Sequence, residues 1–276
     1  MAFDISNVVI DRIVRGIATS QGENKKLGIK KGDILFSINQ IQNASLNCTS
    51  ESADAVDALG TPIATFYRSK AAEFSAENAL FDMALLATQS GTVKKVASEA
   101  AKIETPCFQT IDIVAKTTGY DLSHTPIDGT LKIYALKGDG TLGEKIEMVT
   151  DAAAAGRKVV ISGTKITVDE KGFVEGEQLF CMYEYLADGA ENNGAVEVLN
   201  TATNFPVGCK FIMEVLCADV CDQTNLIYAY LVFPNAKLSP DFDWSIATDS
   251  THPFSMRAMQ EYCDKEKKLF SIVIPE

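Results

Sequence analysis

Asp54-Ala55-Val56-Asp57-Ala58-Leu59-Gly60-Thr61-Pro62-Ile63-Ala64-Thr65-Phe66-Tyr67-Arg68-Ser69-Lys70-Ala71-Ala72-Glu73-Phe74-Ser75-Ala76-Glu77-Asn78-Ala79-Leu80 is the stretch on which the reading of the fold turns. An acidic, small-residue segment leads through a Gly60-Thr61-Pro62 turn into an apolar-aromatic strand and then toward a helix. No catalytic motif lies within it. It reads as a long hairpin edge of the kind that pairs with another subunit.

Strand texture extends on both sides of this segment. The β-branched run Val8 to Thr19 reads as a strand, and Ser20 to Lys31 as a polar loop broken by glycines. Asp33 to Ser52 resumes as strand, and Thr61 to Phe74 is a further one, separated from it by an acidic loop. Apolar residues at Ala79, Leu80, Met83, Ala84, Leu86 and Ala87 predict a helix over Asn78 to Thr88, with Ser75 as N-cap and Gly91 as stop. Val93 to Ile103 reads as a second short helix or an irregular link, ended by Pro106.

Beyond it lie strand candidates at Phe108–Lys116, Leu131–Lys137, Lys145–Thr150, Lys158–Val168, Gln178–Leu186, Cys209–Asp219, Leu226–Pro234, Asp241–Thr248 and Leu269–Ile274. Turn chemistry at Asp128-Gly129, Gly138-Asp139-Gly140, Glu170-Lys171-Gly172 and Ala187-Asp188-Gly189 separates several of them. Many short strands with one clear helix predict a mainly β fold, a β-sandwich or open barrel with one or two short helices. Residues 1–276 read as a single β-rich domain, with about 119–186 a candidate for an inserted β-subdomain.

Composition narrows the function classes. The 276 residues carry a net charge of −12, which argues against general affinity for nucleic acid. No run approaches the length of a membrane-spanning helix, and the segment from Met1 to Ser6 lacks the basic and apolar regions of a secretory signal. Synthesis in the cytoplasm is therefore expected. The seven cysteines sit mostly in apolar strand contexts, so reduced, buried thiols are expected. The one close pair, Cys217 and Cys221, has no second pair or histidine beside it to complete a zinc site.

Residues that could carry chemistry are few. The two histidines, His124 and His252, both stand in loop-like contexts close to a proline and read as solvated. Gly138-Asp139-Gly140-Thr141-Leu142-Gly143 has dinucleotide-binding spacing but precedes a strand rather than a helix, so it reads as a hairpin turn. Asp241, Asp243 and Asp249 near His252 fit no calcium-loop spacing and read as a solvent face, while Trp244 reads as packing. Neither a catalytic group nor a cofactor or metal site is assigned. A carbohydrate-binding or hydrolytic sandwich using Trp244 or Asp243 is a distant reading.

Three segments carry a family likeness. The first joins Ala58-Leu59-Gly60-Thr61-Pro62-Ile63 with Ser69-Lys70-Ala71-Ala72-Glu73-Phe74-Ser75 and Leu85-Leu86-Ala87-Thr88-Gln89-Ser90-Gly91-Thr92. The second runs from Tyr230 to Phe242, and the third from Tyr262 through Ile272. In these the chain resembles the tail tube and related virion structural proteins of tailed bacteriophages.

That resemblance implies a β-sandwich flanked by a helix, forming hexameric rings that stack into a hollow tube alongside other tail proteins. It implies no enzyme activity, no cofactor and no membrane partner, and a place in the virion tail. DNA would pass through the lumen without specific binding, and the acidic balance would keep the phosphate backbone from sticking. On this likeness the ring-bridging role falls on Glu51 to Gly60 and the strand Thr61 to Lys70. The interface residues are then Asp54, Asp57, Leu59, Gly60, Thr61, Ile63, Thr65, Tyr67 and Lys70. A capsid-decoration or head–tail joining protein is the alternative.

Overall fold

The computed structural model describes residues 5, 7–114, 118–149, 156–169, 171–220, 222–262 and 265–275. In chain order the strands are β1 (Val8–Ser20), β2 (Ile34–Ile38), β3 (Ile41–Val56) and β4 (Pro62–Asn78), followed by helix α1 (Met83–Gln89). Next come β5 (Lys95–Val96), β6 (Ile103–Asp112), β7 (Gly119–Asp121), β8 (Lys132–Leu136), β9 (Leu142–Lys145), β10 (Glu147–Val149), β11 (Lys158–Ser162), β12 (Lys165–Val168), β13 (Gln178–Ala187) and β14 (Val196–Glu197). Strands β15 (Gly208–Asp219), β16 (Asp222–Leu238), β17 (His252–Ala258) and β18 (Ser271–Val273) complete the chain. Two compact units divide it: residues 1–94 with 198–276, and residues 95–197.

The first unit is built on one antiparallel sheet ordered β2-β1-β15-β16-β17-β4-β3, with β18 paired to β16. Period-two burial makes these segments strands: β4 buries Ala72, Phe74, Ala76 and Asn78 and leaves Glu73 and Ser75 exposed. The sheet curls over its apolar face. Phe36, on the end strand β2, lies 6.2 Å from Phe211 of β15 and 6.4 Å from Phe254 of β17. Phe74 packs 5.7 Å from Phe211 and 5.8 Å from Phe233. The sheet does not close, so the architecture is the open, mainly β class expected.

Helix α1 starts later than the periodicity suggests. Strand β4 continues through Asn78 because it pairs with β17, so Ser75 is a strand residue and not a cap. Asp82 takes the N-cap instead, its Oδ1 accepting from Leu85 N at 2.7 Å. Gly91 follows the helix at φ +66°, and a Cβ there would meet the Phe205 backbone at 2.4 Å. A stop that is also a close approach admits only glycine.

Three further expectations need correction. Residues 53–56 are strand, not an acidic loop, because they pair with residues 62–66. Pro106 lies inside β6, tolerated because β6 is an edge strand and that position need not donate to a second neighbour. Asp241–Thr248 forms no strand; Trp244 instead stacks on Phe81 at 4.2 Å.

The second unit packs two four-stranded sheets, β10-β11-β12-β7 and β6-β13-β8-β9. Val159 and Ile166 from one and Ile133, Leu179 and Cys181 from the other share a single core. This is a sandwich. The Gly138-Asp139-Gly140 segment is the β8–β9 hairpin turn, with Gly140 N donating to Lys137 O and Asp139 accepting from Thr141. The five described cysteines are free; Cys181, Cys209 and Cys217 are buried, but Cys48 is exposed. Burial pushes the Cys181 and Cys209 thiols up to about 12, leaving them unreactive. Cys221, Cys263 and the turn residue Glu170 lie outside the described residues.

His252 is not the solvated loop residue its sequence context suggests. It opens β17 fully buried, stacked on Phe81, with Nδ1 accepting from Asp82 N and Nε2 2.8 Å from Gln89 Oε1. An accepting Nδ1 leaves the proton on Nε2, donated to Gln89. Burial lowers its pKa, opposed by the nearby Asp82 carboxylate. The unfolded chain therefore takes the proton first as pH falls. The stability held above about 6.5 is lost through the depressed folded value, by at most about 1.4 kcal/mol per pH unit. Urea titrations at pH 7.5 and 5.5 should show this loss, and His252→Gln should show less of it.

Candidate assembly interface

Strands β3 and β4 form a hairpin that outruns its own core. Near the base, Leu46 pairs with Phe74 and Cys48 with Ala72, and Phe74 and Ala72 are buried. From Asn47 to Val56 and from Pro62 to Lys70 the ribbon is exposed on both faces apart from half-buried Ala53. Ten residues of strand reach about 33 Å. Strand β17 pairs with β4 only over residues 73–78, and β3 is the last strand of its sheet. Among the described residues, both edges of the outer ribbon are thus open.

A turn of defined chemistry closes the tip. Asp57 N donates to Thr61 O and Gly60 N to Asp57 O, while Asp57 Oδ1 accepts from the amides of Leu59 and Thr61. Gly60 sits at φ +85°, the left-handed position that a three-residue hairpin loop requires. Asp57 is therefore the residue that shapes the turn, not only a loop charge. The turn spans Asp57 to Thr61, and Pro62 opens β4.

Register decides which side chains share a face. Ser50 pairs with Lys70, Ser52 with Tyr67 and Asp54 with Thr65, with a bulge at Arg68 between the first two pairs. Because the pleat has period two, these pairs continue the face that carries Leu46 and Phe74 into the core. Ile63 follows Thr65 toward the tip, at a second bulge between the Ala55–Ala64 and Val56–Pro62 pairs. Ile63 is 71% and Tyr67 73% exposed, values that leave an aliphatic and an aromatic side chain uncovered. Leu59 stands at the tip, 91% exposed. Of the nine interface residues expected, Asp54, Thr65, Tyr67 and Lys70 come together on one face, Ile63 stands at the bulge beyond them, and Asp57, Leu59, Gly60 and Thr61 form the tip. The ribbon from Glu51 to Lys70 holds three carboxylates and two cations, so it is close to charge balance.

A second group of exposed apolar residues, spread over both faces of the sheet, is not evident in the sequence. Val8, Val9 and Ile10 of β1 pair with the end of β15, whose other neighbour β16 exposes Leu226 and Tyr228. Ile272 and Val273 of β18 are exposed beside them on β16. The signal present in the sequence was the apolar strand Val8–Ile10, too short to show that its partners end with it.

Among the described residues no group of acidic, histidine or cysteine side chains could hold a metal, and Asp241, Asp243 and Asp249 do not converge into one. No curated protein matches the chain. A family model described as the YomU/Tube protein family matches residues 28–272.

Proposed function

The chain belongs to the YomU/Tube protein family and has a structural role in the phage tail tube, and from that premise we propose that it self-assembles into stacked hexameric rings forming a channel for DNA. The observation that carries this reading is the β3–β4 ribbon, on which Ile63, Thr65 and Tyr67 are exposed. An isolated two-stranded ribbon is marginal in water, so an ordered one of this length needs a further surface. Ring closure is heterologous and requires two different, complementary patches on each subunit. The hairpin supplies one, and the apolar ends of β1, β16 and β18 supply the other. In this reading the strand Thr61–Lys70 lies against a ring neighbour and the tip at Asp57–Thr61 reaches the next ring. Residues 95–197 are an elaboration carried by the tube-type unit.

Negative-stain microscopy of the purified full chain at rising concentration tests the proposal directly. Rings or tubes of uniform width are the expected result. A strictly monomeric particle at high concentration, with antibody label on the heads of intact virions, would overturn it in favour of a decoration protein.

A further inference from the structure

The second unit carries a cleft of ≈ 670 Å³, lined by residues 123–128, 164, 185–186, 188 and 191–193. Its floor is an aromatic pair. His124 lies flat on Tyr185 with ring centroids 3.8 Å apart and planes 4° from parallel. Tyr185 is buried beneath, and His124 is half-buried. Both residues line the cleft, together with Thr125, Asp128, Asp188, Glu191 and Asn192.

The walls are fixed before any ligand arrives. Tyr183 of β13 accepts from the His124 amide, and Gln109 of β6 accepts from Ser123 N and Oγ. Ile127 N donates to Glu184 O at 2.7 Å. On the other side Asp188 accepts from Ala190 N and Asn193 Nδ2, and Asn193 Nδ2 also donates to Leu186 O. Such a site loses little freedom on binding.

The lining chooses among ligand classes. It contains no lysine or arginine, so nothing in it offsets the charge of a phosphate, sulfate or nucleic acid. A bare inorganic cation would use the carboxylates of Asp128, Asp188 and Glu191 but would leave the flat aromatic pair uncovered. No metal-binding cluster is present among the described residues. An apolar ligand would strand every one of these polar groups. A neutral pyranose matches all three features: an apolar C–H face for the aromatic plane, hydroxyl donors for carboxylates, and hydroxyl acceptors for the amide and alcohol. We propose that this cleft binds a neutral glycan, with His124 as its stacking platform.

The test applies the intact full-length chain to an array of neutral hexose and N-acetylhexosamine oligosaccharides, with sulfated and uronate glycans and a lysine-rich peptide as controls. The strongest hit is then titrated by calorimetry. Neutral glycans should bind, His124→Ala should weaken the hit about tenfold, and His124→Phe, which keeps a platform, should retain most of it. Thermal unfolding of each variant checks the sandwich; should His124→Ala unfold, Asp128→Ala carries the same expectation of weakened binding. The proposal is overturned if no neutral glycan binds, if anionic glycans or the cationic peptide bind more tightly, or if the platform and Asp128 variants bind like the parent chain.

Discussion

Replacing Ile63 and Tyr67 together by aspartate is expected to leave a folded monomer that forms no tubes. Both side chains are mostly exposed in the subunit and touch no core residue, so their loss removes little intramolecular packing. Exposed substitutions of this kind usually stay within about 0.5 kcal/mol, with up to about 1 kcal/mol for lower strand propensity. In a subunit contact the same change buries two unpaired carboxylates where an aromatic and an aliphatic anchor stood. Removing one such anchor costs about 2 kcal/mol or more, and an uncompensated buried charge about 3–5 kcal/mol. A loss of about 4 kcal/mol weakens one contact roughly a thousandfold. A ring repeats that loss at every junction. Sedimentation velocity and negative-stain images of parent and variant, beside matching thermal unfolding curves, make the measurement. Normal tubes from the double variant would remove the ribbon from the interface.

The hairpin was legible in the sequence because its signals are local. Gly60 marks the turn, and β-branched and aromatic residues follow it, although the part Asp57 plays in shaping it does not show in the sequence. The extent of the strands was less legible. Residues 53–56 look like a loop because Ala53, Asp54 and Ala55 have poor strand propensity, yet backbone pairing with β4 outweighs that preference. Ser75 followed by an apolar periodicity looks like a helix start, but pairing of Ser75 with Ser255 keeps it in a strand. His252 illustrates the same limit from the other side. Its partners Asp82, Phe81 and Gln89 lie some 163 to 171 positions away, and nothing beside it in sequence announces burial. The cleft over Tyr185 likewise joins loops that are separated along the chain by about sixty residues. Only the folded sandwich brings them together.

Phe211→Ala, by contrast, should impair assembly by destabilising the first unit. Phe211 is fully buried and its ring lies within 6.4 Å of those of Phe36, Phe74, Phe233 and Phe254, so it joins β2, β4, β15, β16 and β17. Truncation leaves a cavity at the point where the curled sheet faces itself. The expected cost is about 3–5 kcal/mol, a large part of the roughly 5–15 kcal/mol that holds a domain folded. For a unit of this size that corresponds to a fall of roughly 10 °C in melting temperature. The residues of the second core, including Ile133, Val159, Ile166 and Leu179, belong to a separate cluster. Calorimetry should therefore show an early transition for the first unit and a later one close to that of the parent. The two variants are impaired in tube formation for different physical reasons. The double aspartate variant keeps both transitions and loses the contact, whereas Phe211→Ala weakens the scaffold that holds β3 and β4 in extension. If Phe211→Ala instead lowered both transitions equally, the two cores would have to unfold as one cooperative body.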